Sequence, residues 1–79
     1  MVTRSGRATV LAGRSSVDID LTLKGGLSGT PLCFANLMSY RPGVFVTTIG
    51  PNYPVSGKAR IWLNRSPTAD AFVAWFILN

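Results

Sequence analysis

Three carboxylates are available for chemistry in this 79-residue chain, Asp18, Asp20 and Asp70, and there is no Glu and no His. General acid–base catalysis needs a positioned proton donor and acceptor, and a nucleophilic Ser or Cys needs a base beside it. Asp18 and Asp20 stand two apart while Asp70 is far along the chain, a poor starting point for a paired-carboxylate hydrolase. Two aspartates on one strand face could hold a divalent cation, but such a pair is more often solvated and matched to a neighbouring Arg or Lys. Cys33 is the single cysteine. It forms no internal disulfide, has no His to activate it, and reads as a small buried hydrophobe. Without His, ordinary zinc ligand sets cannot be assembled either. The expectation is a chain that is not an enzyme and that carries no cofactor or metal.

Binding chemistry is better represented. Tyr40 with Arg41, and Asn52 with Tyr53, place aromatic faces beside hydrogen-bonding groups in turn segments, a combination suited to sugars. Such pairs are more often ordinary turn residues. Trp62 shares a strand face with Lys58 and Arg60 and makes the best patch for an anionic ligand. It could equally pack in a subunit contact with the basic stems around it. Eight Lys/Arg against three Asp give a net charge of +5, which favours anionic partners. The basic residues are spread along the chain, however, as on a solvated surface. The Gly-rich stretch Lys24–Pro31 lacks the Gly-Lys-Ser/Thr ending and the following helix of a phosphate cradle.

The elements that must position these residues are strands. No stretch has helical spacing of apolar residues, and eight Gly and five Pro punctuate short alternating runs. That pattern predicts an all-β fold, a small antiparallel β-sandwich of about six strands. The strands are expected over residues 6–12, 15–23, 32–39, 44–50, 58–64 and 72–78, in a single domain spanning 6–79 after a flexible tail at 1–5. Val17, Ile19, Leu21 and Leu23 should face inward, as should Ala59, Ile61 and Leu63. Residues 1–7 lack the long apolar run of a secretory signal. The seven-residue run Phe72–Leu78 falls well short of the about 20 apolar residues that span a bilayer, so no membrane insertion is expected.

That last run organises the rest. On a strand, Phe72, Ala74, Phe76 and Leu78 point one way and Val73, Trp75 and Ile77 the other, so both faces are apolar. A domain of this size buries only roughly 60% of its unfolded surface and usually needs a staple. With disulfide and zinc excluded, oligomerisation remains. The expectation is that the chain's own core covers one face, and that identical neighbours in a homotrimer cover Val73, Trp75 and Ile77. Hiding those three side chains would contribute on the order of 5 to 8 kcal/mol per chain before ordering costs. The alternative is a two-sheet sandwich that closes over this strand within one chain.

The run Gly57-Lys58-Ala59-Arg60-Ile61-Trp62-Leu63-Asn64-Arg65-Ser66-Pro67-Thr68, followed by Phe72-Val73-Ala74-Trp75-Phe76-Ile77-Leu78, resembles the small all-β module that ends bacteriophage and prophage tail-fibre and tail-spike proteins. Gly6–Gly13 followed by Ser15-Ser16-Val17, and Thr30-Pro31 leading into the third strand, are similar to its opening. The resemblance implies a trimeric β-sandwich at the tip of a fibre in the virion, joined to the rest of the tail and contacting the host. On that footing the chain is expected to be a non-enzymatic module that trimerises and meets a host-surface glycan or polymer, with Tyr40, Arg41, Asn52, Tyr53 and Trp62 as its ligand-binding residues. The alternative function is a small basic β-barrel that stacks single-stranded nucleic acid on Trp62, Phe45 and Tyr53.

Overall fold

Alternation over residues 58–63 and an unbroken apolar run over 71–78 produce the two central strands of the molecule. The computed structural model describes residues 3–21 and 31–78. In chain order the strands are β1 (Thr3–Val10), β2 (Ser16–Asp20), β3 (Leu32–Leu37), β4 (Val46–Pro51), β5 (Lys58–Leu63) and β6 (Ala71–Leu78). All pairings are antiparallel, and the described residues contain no helix. Two three-stranded sheets result, in the orders β1-β6-β3 and β2-β5-β4. The chain changes sheet at every connection except the one joining β4 to β5.

The core lies between the sheets. Val10, Ala71, Val73, Trp75 and Ile77 from the first meet Ile19, Ala59, Ile61 and Leu63 from the second, with Leu21 just past β2. Cys33, Ala35 and Leu37 of β3 pack half-buried against this cluster. The inward sets expected for β5 and for residues 17–21 are thus observed.

The expectation for Val73, Trp75 and Ile77 as a trimer contact is corrected. They are 0%, 9% and 0% exposed within the single chain, because the β2-β5-β4 sheet covers that side of β6. It is the other side, with Phe72 and Phe76, that remains exposed. One strand in the middle of a two-layer sandwich can give only one face to the core. The other must lie outside.

Element ends also shift. Residues 3–5 are not a loose tail, because Thr3, Arg4 and Ser5 pair with Leu78, Ile77 and Phe76, and an eight-residue β6 offers β1 a partner along its whole length. At the other end β1 stops at Val10. Gly13 takes φ 83°, a value glycine adopts without a Cβ penalty, and Arg14 N–H closes the turn onto Leu11 O at 3.0 Å. The second predicted strand runs only to Asp20, and its expected residues 22–23, like loop residues 24–30, lie outside the described residues. Β3 ends two residues early, where Ser39 Oγ accepts the Phe72 N–H at 2.9 Å. The fourth strand starts at Val46, with a register shift between Val46 and Thr48.

Trp75 fits only because its cross-strand partner is Gly6. A Cβ built there would come within 2.9 Å of the indole Cζ2 and 3.1 Å of Cε2. The ring is buried and rigid, so the methyl can be accommodated only by moving the core. Gly6→Ala is therefore expected to destabilise the fold by about 1–3 kcal/mol. A lowered urea midpoint at unchanged slope would register this, and an unchanged or raised midpoint would show that the indole yields.

Candidate functional site

Β5 places Lys58, Arg60 and Trp62 on the solvent side of the β2-β5-β4 sheet, opposite Ala59, Ile61 and Leu63 in the core. Register sets Ser16, Asp18 and Asp20 of β2 across from Trp62, Arg60 and Lys58. On the other flank, Thr48 and Gly50 of β4 stand across from Trp62 and Arg60. Gly50 is the enabling residue. A Cβ there would lie 3.0 Å from Trp62 Cζ3 and 3.3 Å from Cη2, so the indole rests over β4 where a side chain would otherwise stand.

Tyr53, from the loop between β4 and β5, leans on this indole with ring centroids 5.4 Å apart at 50°. The Arg60 guanidinium lies over the tyrosine ring, 5.0 Å from its centroid. Arg60 is in turn clamped by Asp18, Nε to Oδ1 at 2.5 Å and Nη2 to Oδ2 at 3.0 Å. The result is a chain of contacts across the sheet, Asp18–Arg60–Tyr53–Trp62–Gly50, that ends in a half-exposed aromatic shelf. The hydrogen bond from Arg60 holds the Asp18 carboxyl below its ordinary 3.8, against the upward push of burial, with the charges of Arg60 and Lys58 adding to the lowering. Two carboxylates face two cations across the strands here, and Arg14 lines a hollow with Asp18 and Arg60, so most of the local charge is matched despite the chain's +5.

Of the residues expected to bind ligand, Tyr53 and Trp62 are brought together, and Asn52 sits beside them at φ 53° in the same loop. Tyr40 and Arg41 belong elsewhere, on the connection from β3 to β4. Arg41 donates from Nη1 to Tyr40 O at 2.8 Å, from Nε to Ala69 O at 3.4 Å, and from Nη2 to Asp70 O. It pins two loops together, which leaves Tyr40 85% exposed. Asn64 is likewise engaged, accepting Phe45 N–H and donating to Gly43 O, both at 2.8 Å. Asp70 accepts the Ala12 N–H at 2.9 Å. Phe45, exposed beside Asn64, stands one step beyond Trp62 along the sheet.

Sequence reasoning missed Gly50, whose only signal was a glycine interrupting a strand, and it did not connect Asp18 to Arg60 across 42 residues. Burial pushes the Cys33 thiol up, so it stays protonated at neutral pH. A cavity of about 820 Å³ has Cys33, Ala35, Val46, Ile49 and Trp75 among its lining, with no charged side chain. Comparison with family models, curated proteins and solved structures finds no significant match to this chain.

A carboxyl held low in the folded state adds stability that is fully present above its unfolded value and lost as pH falls through the folded one. Asp18→Asn is expected to lower the urea midpoint slightly at neutral pH, the pair being solvent-accessible. Wild-type and variant midpoints should converge on acidification, once the pH has fallen through the lowered Asp18 value. A gap that persists in acid would show that the Asp18 charge is not its source.

Proposed function

We propose that this chain is a non-enzymatic adhesive module of the tail-fibre-tip kind. It acts as a homotrimer in a phage virion and meets a host-surface glycan or polymer on the Tyr53–Trp62 shelf. The single observation that carries the ligand half of this reading is the shelf itself, in which two rings meet at 5.4 Å beside the Asp18–Arg60 fork. Aromatic faces take the apolar C–H surfaces of a sugar ring, and adjacent polar groups take its hydroxyls. Charge matching across β2 and β5 suits an uncharged or weakly charged polymer. The virion half rests on the resemblance, whose motif residues fall on β5 and β6, the central strands of the two sheets. It therefore speaks to the core of the fold more than to the shelf.

The second reading, single-stranded nucleic acid stacked on Trp62, Tyr53 and Phe45, draws on the exposure of Phe45 and Tyr53 and on the net charge. The face that would carry it weakens it, because Arg60 and Lys58 are matched there by Asp18 and Asp20.

A glycan array read beside a labelled-oligonucleotide titration separates the two. Glycan binding should change little with salt, and Trp62→Ala should weaken it at least about tenfold, or 1.4 kcal/mol, with the β-sheet circular dichroism retained. Oligonucleotide binding that falls steeply with salt, with no glycan retained, would replace the adhesive reading.

A further inference from the structure

The outer face of the β1-β6-β3 sheet is exposed, polar along β1 and apolar along β3 and β6 but for Asn36 opposite Ala74. Along β3 and β6 it presents Leu32, Phe34, Phe72 and Phe76, and Met38 extends the row, its N–H still bonded to Phe72 O at 2.7 Å. All five are between 41% and 58% exposed. Phe34 and Phe76 stack at 4.6 Å and 14°, so the rings are held in register as a surface. Arg7 is the one charge this face carries among the described residues, and its guanidinium lies 5.2 Å from the centre of the Phe72 ring.

We infer that this face is the subunit contact, covered by further copies of the same chain. The inference rests on the assembly half of the proposed function and names the surface for it. Three observations favour a second copy. At about 150–250 Å² per large side chain, the exposed fractions leave about 370–610 Å² of apolar surface, as large as the biggest patch of a typical monomer, which is often functional. Two such faces with their polar margins reach the about 1,200 Å² of a specific interface. Next, among the described residues Arg7 is the one cation on this face, too little charge to attract an anionic membrane or nucleic acid. Arg41 is bound to three carbonyls, and Arg60 and Lys58 project from the opposite sheet. Finally, among the described residues the core comprises only ten buried hydrophobic side chains, and a chain with one cysteine has no internal disulfide, so the fold gains most from covering its own exposed aromatics.

Sedimentation velocity of the full chain across micromolar concentrations tests this. Wild type should sediment as an oligomer, and Phe76→Asp should raise its dissociation constant at least about a hundredfold. Tyr53→Ala, on the opposite sheet, should leave it unchanged. Position 76 is solvent-facing in the single chain, so circular dichroism should be retained; if it is not, Leu32→Glu on the same face decides the matter. A wild-type monomer would overturn this inference together with the trimeric reading, also where that monomer binds phosphatidylglycerol vesicles. An oligomer untouched by folded Phe76→Asp and Leu32→Glu variants, as edge-to-edge strand pairing would give, would overturn the placement alone.

Discussion

The packing of Trp75 between the sheets is the constraint on which the rest depends. Its indole is the largest side chain in the core, 9% exposed, and it closes directly over the backbone of Gly6. That contact draws the first residues of β1 into the sheet and sets the register Gly6↔Trp75, and thereby which side of β6 faces inward. A one-residue slip would turn the strand over and bring Phe72 and Phe76 in. The Trp75 Nε1–H is buried with no acceptor among the described residues. Apolar burial holds the ring there, not a hydrogen bond.

With one side of each sheet committed to the core, the two outer faces diverge in chemistry. The β2-β5-β4 face alternates charges whose signs match across strands and carries Trp62 in the gap left by Gly50. The β1-β6-β3 face is a stripe of rings with a single cation laid on one of them. Among the described residues no third layer hides either face, so each is available to something outside the chain. A charge-matched aromatic shelf and an apolar wall with one cation favour different partners.

Side chains join the backbone in holding the loops. Arg41, Asn64, Asp70 and Ser39 each tie a connection to a distant strand end or loop. Such tethers let a small domain keep its loops in place without widening its core, and they remove Arg41 from any role in gripping a ligand. Residues that look like binding chemistry in a turn are thus often the turn's own fastenings.

Strand number, antiparallel pairing and the inward sets Ala59-Ile61-Leu63 and Val17–Leu21 were legible in the chain alone, because period-two alternation with one wet side has a single solution. So was the conclusion that β6 has two apolar faces and that its own subunit can cover only one. Which face it covers was not legible. Phe72-Ala74-Phe76-Leu78 and Val73-Trp75-Ile77 are equally apolar, and the choice turned on Gly6 standing opposite Trp75 from some seventy residues away. The shelf was half legible for the same reason: Trp62, Lys58 and Arg60 share a face by alternation, but Asp18, Gly50 and Tyr53 reach them only through pairing across the sheet. Local periodicity determines which side chains point together within a strand; only tertiary pairing decides which strands meet, and with them the surfaces left to the outside.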